Sequence, residues 1–273
     1  MSFAIGIDVG ASTIKGVLLS NGQVLMENAG RTFGQTKFEE SYGSLTRVID
    51  SLWHPQVMKI GVVTTGDVDV DKGVVTYAVN LPGWTNAPLK SLLEKRYRVP
   101  VHIENDAVGA LLAEASLLPK HAKITMLTFG TGLGCANFMD GRLIKDPRYA
   151  WGNRKFHPED NATIEDVLSA TALKKDAKNT YGKAIFTLEL FRRYRKGEAK
   201  ADEVFCRFSS RLQALFAMIQ MDFAPDVILL GGGIMNGKDV IESCLKDCPY
   251  PYRFAHYGNL AGAIGATMLP VHI

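Results

Sequence analysis

One unit of sequence occurs twice in this chain, and any fold has to accommodate both copies. Residues 3–7 form a short apolar run, Asp8-Val9-Gly10-Ala11-Ser12 a polar bend, 14–19 a second apolar run, and Asn21-Gly22 a tight turn before 23–26. The same order returns as 124–128, Gly130-Thr131-Gly132-Leu133-Gly134, 135–139 and Asp140-Gly141, ahead of 142–144. Asn-Gly and Asp-Gly between apolar runs are strong hairpin signals, so each copy predicts strand, glycine turn, strand, tight turn, strand. Asp8 lies 14 positions before Gly22 and Thr128 lies 13 before Gly141. Two matched units predict a duplicated domain, because a solenoid needs three or more repeats.

Between and after the two copies the pattern alternates. Residues 58–64 and 101–104 read as buried strands, and 38–53, 88–97 and 107–117 as helices. Strands alternating with helices predict an α/β fold with a mainly parallel or mixed sheet. Further helices are expected over 164–177, 185–195 and 201–223. A last buried strand over 226–230 runs into Gly231-Gly232-Gly233, and 259–269 reads as an alanine- and glycine-rich helix suited to close packing. At about 150 residues per domain, 273 residues make roughly two domains. The expected division is a first lobe of 1–106 with 259–273 and a second of 107–258, joined at 105–108 and crossed again near the end.

Composition removes several classes of function. With 47% apolar and 22% charged residues the chain is not disordered. Its net charge of +3 is too small to imply nucleic acid as a partner. The one basic concentration, 174–200 with Arg192, Arg193, Arg195 and Lys196, has acids among it and reads as a solvated helix face rather than a binding patch. Cys135, Cys206, Cys244 and Cys248 form no disulfide framework, and the i, i+4 pair Cys244 and Cys248 lacks the histidines or second cysteine pair of a zinc site. No apolar run reaches the roughly 18 residues that span a bilayer, and the first ten residues contain an acid in place of a basic leader. A soluble, cytoplasmic protein without membrane association is expected.

The glycine turns carry the chemistry. Glycine lets main-chain N–H groups approach an anion, and nearby hydroxyls or a lysine add donors to phosphate oxygens. The first turn supplies Gly10, Ser12, Thr13 and Lys15; the second supplies Gly130, Thr131, Gly132 and Gly134. One such turn is in most chains only a turn, but two in equivalent places of a duplicated fold can face one another across a cleft and hold a polyphosphate. Neither the dinucleotide fingerprint nor the P-loop pattern is present. Asp8 ends a buried strand at the first turn, where its carboxylate either holds hydrated magnesium or caps the turn's own amides. Asn105-Asp106 opens a helix. Both residues are preferred caps there, and amides at a helix start also favour an ionised Asp106 able to take a proton from an attacking hydroxyl. Gly231-Gly232-Gly233 clears side chains from a stretch where a flat ring or a helix can lie.

In this order the residues resemble the ROK family of sugar kinases, within the hexokinase, actin and Hsp70 superfamily. Residues 8–16 resemble the first phosphate motif, and Thr64 to Asp69 with Asn80-Leu81-Pro82-Gly83-Trp84 the sugar-side loops. Glu104-Asn105-Asp106-Ala107 resembles the segment bearing the catalytic aspartate, Gly130 to Gly134 the second phosphate motif, and Gly231-Gly232-Gly233-Ile234 the adenosine motif. The resemblance covers nearly the whole chain. It implies a two-lobed, duplicated ribonuclease H-like fold of the actin and hexokinase type, with ATP in the cleft between lobes. Asp106 would then be the general base, Asn105 and Asn80 would hold sugar hydroxyls, and Gly66 would approach the sugar through its main chain. Magnesium would sit between Asp8, Asp106 and the phosphates, and a homodimer is implied.

The sequence departs from the family in one segment. A Glu-x-Gly-His element and a cysteine-rich zinc motif are expected after the second phosphate motif, yet 142–164 holds no cysteine and only one histidine, His157. Zinc is therefore not expected. His157 either reaches the sugar or lies on the surface. Glu165 with Ser169 four residues later fits the family's sugar-binding glutamate. No DNA-binding region stands ahead of Met1, so the repressor branch is not expected. The function that follows is an ATP-dependent kinase acting on a hydroxyl, the 6-OH in the first instance, of a hexose or hexose derivative. The alternative is a non-catalytic protein of the same fold that senses a sugar or nucleotide.

Overall fold

The computed structural model describes residues 2–33, 37–78, 80–159 and 161–270. The chain divides into two compact units, residues 1–120 with 259–273, and residues 121–258.

The first unit is built on a five-stranded sheet. Strands β1 (Phe3–Val9), β2 (Thr13–Ser20) and β3 (Gln23–Arg31) form an antiparallel meander. On its other side β1 runs parallel to β4 (Val57–Thr64), and β4 parallel to β7 (Val101–Asn105), giving the order β3-β2-β1-β4-β7. Helix α1 (Phe38–Leu52) buries Leu45, Val48, Ile49 and Leu52, the i, i+3, i+4, i+7 stripe of an amphipathic helix, in the same core as Ile5, Ile7 and Ile60. A small hairpin, β5 (Asp67–Asp69) and β6 (Val74–Tyr77), and a short turn of 3₁₀ helix at Pro82–Trp84 follow β4. Helix α2 (Leu89–Tyr97) then leads into β7.

The second unit repeats the plan with β8 (Ile124–Phe129), β9 (Leu133–Met139), β10 (Arg142–Ile144), β11 (Val227–Gly231) and β12 (Tyr252–Phe254), in the order β10-β9-β8-β11-β12. As in the first unit, a meander joins a parallel pair, here β8 with β11. The 24-residue helix among its elements buries Phe205, Phe208, Leu212, Leu215, Phe216 and Ile219 in one cluster with Leu127, Phe129, Ile228 and Leu230 of the sheet.

Two sequence expectations change. Residues 107–120 belong to the first unit, not the second. Helix α3 (Asp106–Ala115) packs closely on the C-terminal helix, residues 261–266, where a Cβ on Gly265 would collide with the Gly109 carbonyl oxygen. The unit boundary therefore lies after Lys120, not at Asp106. The single helix expected over 164–177 is two, α4 (Ile164–Val167) and α5 (Ala170–Tyr181). Each has its own cap: Thr163 and Asp166 form a reciprocal capping box, and the Ser169 side chain accepts from the Ala172 N–H at 3.2 Å.

The remaining helices are α6 (Thr187–Arg195), α7 (Ala199–Asp222), α8 (Lys238–Cys244) and α9 (Ala261–Ala266). The basic stretch on α6 is matched by acids: Arg192 and Arg193 bond Glu189, Arg193 also meets Glu198, and Arg195 meets Asp239. All four cysteines are free thiols. No helix among the described residues is long and apolar enough to cross a membrane.

Candidate active site

The C-terminal ends of the parallel strands in the first unit meet in one row, because Val9 of β1 is the register partner of Thr64 in β4, and Thr64 that of Asn105 in β7. Ligands of open α/β sheets bind at this edge. The Thr65 N–H donates to the Val9 carbonyl at 3.3 Å, which ties the loop after β4 to the end of β1.

Asp8 is the register partner of Lys15 across β1 and β2, with Lys15 Nζ 3.8 Å from Asp8 Oδ2. The turn between the strands is closed by its own backbone, Gly10 N–H to the Thr13 carbonyl at 3.0 Å, and the Ser12 carbonyl accepts from the Thr32 N–H at 3.0 Å. Asp8 therefore faces lysine, and Ser12 and Thr13 are exposed. Burial pushes the Asp8 carboxyl above its ordinary value, and Lys15 draws it back. Gly262 of α9 leaves the room it occupies, since a Cβ there would stand 2.8 Å from the Asp8 Cγ.

Asn105 caps α3 and latches the neighbouring loop. Its Oδ1 accepts from the Ala107 N–H at 2.9 Å, and its Nδ2 donates to the Gly66 carbonyl at 3.0 Å. Gly66 has φ +98°, and a Cβ there would collide with the Tyr77 carbonyl oxygen, so only glycine fits this approach. Asn80 lies half-buried in the same unit, just before the Pro82–Trp84 turn. Asp106 is the first residue of α3, and its Oδ1 also accepts from the Ala107 N–H at 2.9 Å.

The protonation of Asp106 differs from the sequence expectation. Amides at a helix start favour a carboxylate, but burial opposes the charge more strongly, and Asp8 adds repulsion. The carboxyl is pushed up to about 7, with the Ala107 N–H pulling the other way. An aspartate that titrates near neutrality is matched to moving a proton at physiological pH. Asp8 and Asp106 together are hard oxygen donors, the chemistry Mg²⁺ prefers, and their mutual repulsion is of the kind a divalent cation relieves.

In the second unit the Gly130 N–H closes the glycine turn on the Gly132 carbonyl at 3.0 Å. Gly130 has space beside its Cα, the nearest atom to an added Cβ being 4.0 Å away. Glu165 stands against this turn: its Oε2 accepts from the Leu133 N–H at 2.7 Å, and a Cβ on Gly132 would run into its carboxylate. The structure thus joins Glu165 to the second glycine turn, a relation the sequence did not indicate. Gly231 ends β11, and Gly232, with φ +88°, lies against the Phe129 backbone, 2.5 Å from its nitrogen to an added Cβ. The glycine run therefore brings its second member to a strand, while Gly233 opens onto free space that a flat ring can use. His157 is exposed, edge-on to Phe156 with ring centroids 4.6 Å apart.

The family model of the ROK family matches residues 4–272 of the chain. Among curated proteins, an N-acetyl-D-glucosamine kinase of Vibrio atlanticus is 28% identical, the alignment covering 78% of this chain and 80% of that protein. A beta-glucoside kinase of Klebsiella pneumoniae is 26% identical, with 95% and 93% covered. A crystal structure of a ROK family glucokinase from Streptomyces griseus, in complex with glucose and AMPPNP, superposes with a TM-score of 0.87 at 22% identity, over 98% of this chain and 99% of that one. That likeness makes the fold the hexokinase type.

Proposed function

The chain belongs to the ROK family, and we propose that it is an ATP-dependent carbohydrate kinase that transfers the γ-phosphoryl group of ATP to the 6-hydroxyl of a hexose or hexose derivative. Glucose, N-acetylglucosamine and a β-glucoside are the first candidates, from the relatives' names. One observation carries the reading: Asp106 opens α3 directly beside the Asn105–Gly66 latch, where a general base for a hydroxyl is required, and burial with the nearby Asp8 pushes its carboxyl up to about 7.

In this reading Asp106 accepts the proton of the attacking hydroxyl through Oδ2, while Oδ1 stays on the Ala107 N–H. Asn105, Asn80 and the Gly66 main chain hold other sugar hydroxyls. Asn105 has one Nδ2 hydrogen left for that purpose, because the other is given to Gly66. Lys15, Ser12, Thr13 and the Gly10 turn offer donors to phosphate oxygens, and so do the main-chain amides of Gly130, Thr131 and Gly132. Gly231 to Gly233 receive the adenosine. Asp8, with Asp106 nearby, would hold Mg²⁺, which would supply charge neutralisation on the phosphates.

Coupled ADP release with MgATP over a panel of glucose, N-acetylglucosamine, N-acetylmannosamine and a β-glucoside tests the reading. Sugar-dependent ADP release is expected with one or more of them. ADP release that ignores the sugar, or none with any of them, contradicts it.

A further inference from the structure

The polar atoms of the Gly130-Thr131-Gly132 turn are sorted to two sides. Each of its carbonyls is taken by a protein donor: Gly130 accepts from the Ala170 N–H at 2.9 Å, Thr131 from Thr171 Oγ1 at 2.8 Å, and Gly132 from the Gly130 N–H at 3.0 Å. Among the described residues, the Thr131 and Gly132 amides donate to no protein acceptor. Two carbonyls are thus drawn to the first turn of α5, and two successive N–H groups are left for a ligand. Successive main-chain N–H groups are the material of an anion-binding concavity.

The link between the two sides is the peptide plane. In a planar trans peptide the C=O and the N–H point in opposite directions. Holding the Thr131 carbonyl toward α5 therefore aims the Gly132 N–H away from it, and the Ala170 bond does the same for the Thr131 N–H. A reversed Thr131–Gly132 peptide would instead turn a carbonyl oxygen outward, where it repels an anion. Glycine on either side of Thr131 makes such a reversal easy, because glycine has the most backbone freedom to lose on ordering.

α5 is a firm support for this. The Ser169 side chain caps it through the Ala172 N–H at 3.2 Å, and Leu173 and Ala177 are buried in the cluster that holds Phe208 and Leu212 of α7. Arg211 of α7 is also paired with Asp176. Of the three donors to the turn's carbonyls, two are main-chain amides and one is a side chain, the Thr171 hydroxyl. That bond alone is set by the type of residue.

From these contacts we propose that Thr171 is a positioning residue for the nucleotide: its hydroxyl locks the Thr131–Gly132 peptide so that the Gly132 N–H, not the Thr131 carbonyl, faces the phosphate oxygens. The inference rests on the kinase reading above. The effect travels through the Thr131 carbonyl, so serine should replace Thr171, while valine, which keeps the shape, and alanine should not.

The test compares wild type, Thr171→Val, Thr171→Ala and Thr171→Ser in two measurements. Calorimetric titration with Mg²⁺ and a non-hydrolysable ATP analogue, without sugar, should show the Kd raised about three- to tenfold in T171V and T171A, and within about twofold of wild type in T171S. Amide hydrogen exchange of the peptide covering 130–134, in the nucleotide-free protein, should be faster in T171V and T171A and close to wild type in T171S. In steady-state kinetics the sugar KM should change less than the nucleotide KM in all three. A raised Kd with unchanged exchange marks a direct ligand contact and overturns the proposal. Faster exchange with unchanged Kd, or a defect in T171S as large as in T171V, overturns it as well. A wild-type protein that binds no analogue, while the turn still loosens in T171V, overturns the kinase reading and leaves the hold of Thr171 on the turn standing.

Discussion

Asn105 joins the loop after β4 to the helix that begins with the proposed base: its Nδ2 donates to the Gly66 carbonyl at 3.0 Å while its Oδ1 accepts from the Ala107 N–H at 2.9 Å. One amide thereby fixes two elements that are 39 residues apart in the chain. Replacing it by alanine removes a helix cap and the latch together. Asn105→Ala is expected to lose about 1–2 kcal/mol of stability in denaturant unfolding and to lower kcat/KM by about 10- to 100-fold, with most of the loss in the sugar KM. Asn105→Asp keeps the cap and removes only the donor to Gly66, so its stability loss should be smaller while its kinetic defect remains. Equal losses of stability in the two variants would contradict the latch.

The ionisation of Asp106 predicts a pH dependence with a definite sign. A base must be ionised, so kcat/KM should fall as pH falls through about 7. Stability runs the other way. The folded carboxyl is raised above its ordinary value of 3.8, so the folded state binds the proton more tightly than the unfolded chain. This contribution to stability is complete below pH 3.8 and is lost as pH rises through about 7. Asp106→Asn should therefore stabilise the ligand-free protein relative to wild type at pH 8, by on the order of 1–3 kcal/mol more than it does at pH 4. Thermal unfolding of both proteins at the two pH values checks this.

Lys15 is expected to matter through charge. It faces Asp8 at 3.8 Å and lowers the Asp8 carboxyl against the effect of burial. Lys15→Met keeps the aliphatic stem and removes the ammonium, so Asp8 should hold its proton to higher pH and Mg²⁺ should bind more weakly. A rise of about tenfold in the KM for MgATP, partly overcome by raising Mg²⁺, is the outcome to look for in steady-state kinetics.

The helix-to-helix contact of α3 with α9 rests on missing side chains. A Cβ on Gly265 would collide with the Gly109 carbonyl oxygen, a main-chain atom that cannot swing away. Gly265→Ala should destabilise the protein by about 2–4 kcal/mol, read as a shifted midpoint in urea. Gly43→Ala serves as the comparison, since an added Cβ there meets nothing within 4 Å and the residue lies inside α1, where alanine is the better helix former.

Much of this architecture is legible in the chain. The two tight turns Asn21-Gly22 and Asp140-Gly141 form with positive φ where their hairpin signals put them, because such turns are decided by local backbone chemistry. The close-packing C-terminal helix is legible too, as a run of alanine and glycine. What escapes is decided by tertiary contacts. The β5–β6 hairpin is too short for its alternation to stand out, yet it supplies the Tyr77 carbonyl that makes Gly66 necessary. The break at Leu168-Ser169 is written in two caps, Thr163 and Ser169, that a continuous helical reading passes over. The ionisation of Asp106 depends on how deeply it is buried and on Asp8, almost 100 residues away, so the local helix-start argument gives the wrong sign.

The central claim, that Asp106 is the base of a sugar kinase, is tested most directly by sugar-dependent ADP release from Asp106→Asn beside wild type, with binding of a non-hydrolysable ATP analogue measured on both. The account predicts that kcat falls by about 10²- to 10⁴-fold while the analogue binds nearly as well as to wild type. Turnover of the variant at the wild-type rate on the same sugar would contradict it.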